Sequence, residues 1–408
     1  MVLLLLVLLG VLAALSLGVF VWVVAQHFLK TKIPLGLQHP IKFRFLHVFS
    51  LYVLTWGNIL EKLSICSQFH FIQFVESLVL VKKDPKMVVT NLQFGTIPAR
   101  LFQPKTSSPS LRRGIIFFHG GGLMMGSLDS YHSLCNFLAR ETDSVLISVG
   151  YRKCPDYHYP ITFDDCLIAS IHILKAPEIY GVDPSRIVLC GESVGASLVA
   201  GLTQALLGRS DLPQIRAQVL MYPCVQTVNL QLPSFQQNKN IPFLTQDLLL
   251  KLLCKYLAID QSWEDAIVKG ACVPVEVWGK YRKWLSPENL PERFRQKDSQ
   301  QHDFPAPFNE AAYLETKQLF ETEHVPLLAD DNIIAQLPEA FLVTCEWDIL
   351  RDDGLLYKKR LEDQGVPVTW YHAEDGFHGC ILFFDWKLLS FSCALKIINA
   401  AISYIKEI

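Results

Sequence analysis

Charge is scarce in this chain of 408 residues: 19% are Asp, Glu, Lys or Arg, against 50% in the hydrophobic set. A disordered or low-complexity protein needs the opposite balance, so that class is excluded. There is no surplus of either sign, because 37 basic and 39 acidic residues leave a net charge of −2. No general field draws in nucleic acid, and none is expected as a partner. Close cysteine pairs are missing too. Eleven cysteines run singly from Cys66 to Cys393, never at the spacing of zinc or redox motifs, and their odd number leaves at least one out of any intrachain pairing. Asn-x-Ser/Thr is absent, so glycosylation offers no argument for a lumenal body. Internal repeats are absent as well. With Phe, Trp and Tyr at 11%, what remains is ample apolar bulk for a core and a greasy pocket.

The first long apolar run is Val2 to Val24, followed by Ala25, Gln26 and His27, with the first lysine at Lys30. As a helix it spans roughly 35 Å, enough for a hydrocarbon core of about 30 Å. It has no basic start, is long for a signal peptide and lacks a small-x-small exit, which favours an uncleaved anchor over a cleaved signal. Trp22 suits the interface. Lys30, Lys32, Lys42 and Arg44 all follow the run, and a positive-inside count leans towards a cytosolic body. Phe45 to Leu60, carrying His47 and Asn58, is too short and mixed for a span and reads as a membrane-surface or cap helix. The expected division is a signal-anchor over 1–26, a juxtamembrane and cap segment over 27–91, and a catalytic domain over 92–408.

From about Leu92 short apolar runs alternate with helical stretches. Gly114–Phe118, Val145–Val149, Ile187–Cys190, Ala217–Met221, Ala340–Thr344 and Val366–Tyr371 read as strands, most of them apolar enough for burial on both faces of a parallel sheet. Ala196–Leu207 and Asp353–Gln364 read as helices, the latter closed by Gly365. The rhythm breaks over about 223–326, where a helical piece at Thr245–Leu257 sits among scattered Pro, Trp and polar clusters. So long an insertion in an α/β pattern reads as a cap. The expected fold class is α/β, with a mainly parallel central sheet, a partly helical cap and an N-terminal transmembrane helix.

Gly191-Glu192-Ser193-Val194-Gly195 lies between an expected strand and an expected helix. In that context the pattern is a nucleophile elbow, a sharp turn that lifts the serine hydroxyl above the sheet. His119-Gly120-Gly121-Gly122 also follows a strand. Acyl transfer puts negative charge on the carbonyl oxygen, and glycines let the backbone approach it; the N–H groups of Gly121, Gly122 and Val194 are the candidate oxyanion donors. No Gly-Lys-Ser/Thr follows, which argues against a phosphate cradle. A serine hydroxyl needs a base, and the base an oriented tautomer. Downstream histidines are His302, His324, His372 and His378; only His378, in Asp375-Gly376-Phe377-His378-Gly379, sits in a loop after the last strand, while His372 abuts that strand and reads as structural. For the acid, Asp348 lies just past the strand ending at Thr344. Asp352 and Asp353 compete, but they fit the negative charge wanted at a helix N-terminus. The expected triad is Ser193, His378 and Asp348.

These motifs, with Trp347-Asp348-Ile349-Leu350-Arg351-Asp352-Asp353 and Tyr151-Arg152-Lys153-Cys154-Pro155, resemble the hormone-sensitive-lipase group of α/β-hydrolases. The apolar N-terminus, Pro326-Leu327-Leu328-Ala329-Asp330-Asp331 and the overall length resemble the arylacetamide deacetylase family within it, especially its deacetylase-like 4 branch. The resemblance implies a serine carboxylesterase or amide deacetylase, held in the endoplasmic reticulum membrane by one helix with a lumenal body, against the lean of the flanking charges. It implies a small lipophilic ester or amide as substrate, with no metal and no organic cofactor. Val194 and Ala196 stand where the group commonly has Ala and a second Gly. Leu123, Met124 and Met125 stand where the family has a cysteine, so a disulfide from there to Cys345 is not available. Two other readings remain: a lipase for long-chain glycerides or sterol esters, and a membrane-tethered binding protein without turnover.

Overall fold

The computed structural model describes residues 1–31, 33–34, 36–295, 304–386 and 388–408; Lys32 and His302 lie outside the described residues. Three helices come first: α1 (Val2–Lys30), α2 (Pro40–Lys62) and α3 (Gln68–Ser77). In α1 the apolar run is unbroken and carries no capping residue, and the helix is long and apolar enough to cross a membrane. It packs against α2 through Val23 and His27, with Ser16 Oγ 2.5 Å from Tyr52 Oη and His27 Nδ1 2.8 Å from His47 Nδ1. Ser67 caps α3 by accepting from the His70 N–H.

The body is built on β1 (Met87–Phe94), β2 (Ile97–Pro104), β3 (Arg112–Phe118), β4 (Val145–Val149), β5 (Val182–Glu192), β6 (Ala217–Met221), β7 (Glu339–Trp347) and β8 (Val368–Phe377). They form one sheet in the order β1-β2-β4-β3-β5-β6-β7-β8, antiparallel through β1, β2 and β4 and parallel from β4 to β8. This is the mixed, mainly parallel sheet of an α/β-hydrolase. The hairpin β1–β2 was not among the expected strands. Its first member is an edge strand with most side chains exposed, so its sequence mixes polar and apolar residues and gives no continuous apolar run.

Alternation along the central strands dictates two helical layers. Ile116, Phe118 and Leu189 face the core shared with α5 (Ile161–Lys175), α6 (Val194–Ala205) and α13 (Arg351–Asp363). Ile115, Phe117, Val188 and Cys190 face the opposite core, under α4 (His132–Glu141) and α14 (Ser392–Glu407). The expected helices at 196–207 and 353–364 correspond to α6 and α13, shifted by about two residues at their ends. After β4 the Arg152 guanidinium grips the buried Asp165 of α5 in a two-pronged pair at 2.7 and 2.9 Å, which fixes the Tyr151–Pro155 segment beneath the sheet's C-terminal edge. Between β6 and β7 the chain leaves the sheet and builds α7 (Pro233–Asn238), α8 (Gln246–Tyr256), α9 (Glu264–Lys269), α10 (Val275–Leu285), α11 (Glu310–Thr316) and α12 (Asp331–Ile334). The eleven cysteines are free thiols.

Candidate active site

At the C-terminal end of β5 the chain reverses directly into α6. Ser193 takes the turn with φ 54° and ψ −128°, a conformation ordinary side chains avoid. Such a turn needs small neighbours: a Cβ on Gly195 would stand 2.6 Å from the His119 carbonyl oxygen. The strained corner holds the Ser193 hydroxyl clear of both elements, 2.8 Å from His378 Nε2. His378 arrives from the loop that ends β8, and its Nδ1 lies 2.8 Å from Asp348 Oδ2. Asp348 sits past the end of β7, where its other oxygen accepts the Leu350 N–H at 2.8 Å. The Asn238 amide of α7 donates to the Asp348 main-chain carbonyl at 2.9 Å, so the cap braces the loop that carries the carboxylate. All three side chains are buried. Burial pulls the His378 pKa down, but the charge and hydrogen bond of Asp348, with a smaller contribution from Glu192, outweigh it and hold the imidazole above the ordinary histidine value. A hydroxyl, an imidazole and a carboxylate in this order can move a proton off oxygen and stabilise the resulting imidazolium.

The glycine run after β3 lies beside this corner. Gly121 and Gly122 have φ of 101° and 63°, and their N–H groups have no hydrogen-bond acceptor among the described residues. The loop turns on itself, with Met124 and Met125 N–H groups donating to the Gly121 carbonyl at 3.2 and 2.8 Å. His119 is wholly buried behind it, stacked on Tyr151, whose hydroxyl donates to the His119 carbonyl at 2.6 Å. From the cap, Leu252 of α8 closes over Gly122, where an added Cβ would lie 2.6 Å from the leucine methyl. The nearest cover is therefore apolar.

The rival residues go elsewhere. Asp352 and Asp353 do begin α13, but they are buried rather than solvated: Asp352 accepts the Ser234 N–H at 2.6 Å and Arg351 Nε at 2.9 Å, and Asp353 accepts the Gln226 amide at 2.7 Å. Both tie cap segments to α13. His372 bridges Thr344 Oγ1 and Glu346 Oε2 at 2.8 and 3.0 Å, and His324 packs on Tyr159.

A family model for the alpha/beta hydrolase fold matches residues 115–281 and 287–382. Over 99% of this chain and 99% of the relative, the sequence is 65% identical to arylacetamide deacetylase-like 4 of Homo sapiens. The chain belongs to the arylacetamide deacetylase family of α/β-hydrolases. Arylacetamide deacetylase of Oryctolagus cuniculus is 37% identical over 74% of this chain and 77% of its own. Among solved structures, carboxyl esterase 2 of the fungus Tuber melanosporum aligns with a TM-score of 0.61 at 22% identity, covering 80% of this chain and 88% of that one, a likeness of fold.

Placed in this family, the two elbow departures have different surroundings. Ala196 is fully buried at the start of α6, whereas Val194 is only partly buried and packs against the core beside Ser193. Sequence reasoning missed Glu192, although it stands inside the elbow motif. Its buried carboxyl receives the Tyr131 hydroxyl and lies so close to Gly120 that no side chain fits there. Burial raises its pKa, against the pull of the Tyr131 hydrogen bond and of the facing His378. Asn238 was missed too; a lone polar residue in an insertion carries no pattern. A cavity of about 710 Å³, lined by Leu174, Leu207, Ile215 and Pro338 among others, opens at the N-terminal ends of β6 and β7, the opposite end of the sheet from Ser193. Among the described residues Glu346, His372 and Glu374 converge closely enough for a metal, but Arg351 and Arg293 already pair with the two carboxylates at 3.2 and 2.9 Å.

Proposed function

We propose that this chain is a membrane-anchored serine hydrolase that cleaves lipophilic carboxylic esters or amides through an acyl-enzyme. The observation that carries the reading is the unbroken contact from Ser193 Oγ to His378 Nε2 and from His378 Nδ1 to Asp348 Oδ2, each 2.8 Å. Ser193 Oγ attacks the carbonyl carbon while His378 takes its proton, and Asp348 keeps the other imidazole proton on Nδ1. The carbonyl π pair moves onto oxygen, where the N–H groups of Gly121, Gly122 and Val194 stabilise it. Collapse expels the alcohol or amine, protonated by His378, and leaves the acyl group on Ser193. Water repeats the sequence and releases the acid. No step calls on a metal or an organic cofactor. The apolar cover at Leu252 and the esterase and deacetylase names of its relatives support uncharged, lipophilic acyl substrates.

The test is hydrolysis of short-chain aryl esters together with labelling by a fluorophosphonate. Purified wild type is expected to do both and Ser193→Ala neither; an unlabelled wild type, or equal labelling of the variant, overturns the reading. Rates should fall as the acyl chain lengthens, and the reverse trend would mark a long-chain lipase.

The anchor is α1, whose packing on α2 supports a helix that stays with the protein. Our reading puts the body in the lumen of the endoplasmic reticulum, and what supports it is the family resemblance alone. The flanking cations weigh less against this because the fold uses them: Lys42 donates to the Ser390 carbonyl at 2.7 Å and Arg44 contacts His27 Nε2 at 3.0 Å. In sealed microsomes the body should resist added protease until detergent is present. Digestion in intact vesicles would reverse the orientation.

A further inference from the structure

Three consecutive glycines give residues 120–122 wide backbone freedom, which works against a preorganised anion site unless something outside the loop restrains it. The internal turn at Gly121 fixes only the loop's own curvature, and Tyr151 holds its first carbonyl. The far end is held by α3, which lies outside the residues matched by the family model. The Gln73 amide nitrogen donates to the Met124 carbonyl at 2.6 Å and to the Cys154 carbonyl at 3.1 Å, bridging the glycine loop to the segment after β4. One turn further along, both oxygens of the Glu76 carboxyl accept the Gly126 N–H, at 3.2 and 3.0 Å. Burial pushes this carboxyl up to about 7, against the pull of the Gly126 N–H and the Lys153 ammonium. Holding a carboxylate there is costly, and the protein spends it on a single loop amide.

We propose that α3 is part of the acyl-transfer apparatus, with Glu76 and Gln73 as positioning residues that hold loop 121–126 in the shape presenting the Gly121 and Gly122 N–H groups to the oxyanion. The inference rests on the hydrolase reading and adds a consequence. The segment between the anchor and the sheet completes the active site, because α3 is itself seated on α2 through Gln68, whose amide donates to the Leu54 carbonyl at 2.9 Å. Misaligned oxyanion donors weaken an interaction made in the transition state, so the loss belongs in kcat and not in KM.

The experiment uses the full chain in detergent micelles at pH 8.5, above the Glu76 carboxyl, with kcat and KM on a short aryl ester and the melting temperature for each variant. Glu76→Ala and Gln73→Ala are each expected to lower kcat by about 10- to 100-fold with KM within about twofold. Glu76→Gln keeps a carbonyl oxygen for the Gly126 N–H and should retain most of the wild-type kcat. Phe74→Ala, on the exposed side of the same helix, should change neither constant. If Glu76→Ala does not fold, Gln73→Ala decides with the same criterion. An unchanged kcat in the alanine variants, a loss confined to KM, or an equal loss in Phe74→Ala overturns the inference while the hydrolase reading stands. An inert, unlabelled wild type overturns both.

Discussion

Ser193→Ala and His378→Ala are each expected to lower kcat on an aryl ester by about a millionfold, and the double variant by no more than either alone. The equality follows from the geometry. The hydroxyl is a poor nucleophile without a base 2.8 Å away, and the base has nothing to do without the hydroxyl. Removing one disables the other, so the second substitution finds no interaction left to break. The expected remainder is a rate about 10³–10⁴ above water, because the proposed oxyanion donors, the N–H groups of Gly121, Gly122 and Val194, are left intact. Steady-state rates on purified variants, with active-site titration to exclude wild-type contamination, give the numbers. Additive losses in the double variant would mean that Ser193 and His378 act separately, and the proposed relay would be wrong.

Some of this site is written locally in the chain and some is not. The elbow could be read because a sharp strand-to-helix turn requires small residues at fixed offsets from the serine, and Gly191 and Gly195 stand there. The glycine loop could be read for a similar reason: close backbone approach excludes side chains over three successive positions. Asp348 and His378 have no such local constraint. Chain order and their places after expected strands point to them, and the two side chains meet at 2.8 Å because parallel strands bring all their C-terminal ends to one edge. Where function depends on tertiary contact alone, the sequence is silent. Glu192 is an acidic residue at a variable motif position until Tyr131, distant in sequence, is seen to meet it. Glu76 and Gln73 look like the polar face of a short amphipathic helix, and nothing local says that this face is turned inward on a loop some 50 residues away. Asp352 and Asp353 illustrate the converse. Their position at a helix start was legible, but their burial was not, because the Ser234 and Gln226 groups that bind them come from the cap insertion. The β1–β2 hairpin escaped for a different reason: β1, at the edge of the sheet, lacks the two-sided burial that makes inner strands uniformly apolar.

Asp348→Asn is expected to lower kcat by about 10⁴-fold and to move the acid limb of the kcat/KM profile to lower pH. The rate loss comes from tautomer control. An amide can turn its NH₂ towards Nδ1, which then accepts, leaves the proton on Nε2 and blocks the nitrogen that must receive the Ser193 proton. The shift in pH has a fixed sign. His378 must be neutral to act as a base, so activity falls as pH drops through its pKa in the free enzyme. That pKa stands above the ordinary value because the charge and hydrogen bond of Asp348 overcome the depression by burial. With the charge gone, burial remains and the pKa falls, carrying the limb with it. Wild type should therefore show its limb above about 6.5, the ordinary histidine value, and the variant a limb below the wild type's. Glu192 still faces His378 in the variant and limits the displacement without reversing it. A limb that stays in place while kcat collapses would assign the acid limb to another group. A kcat that barely changes would remove Asp348 from the relay.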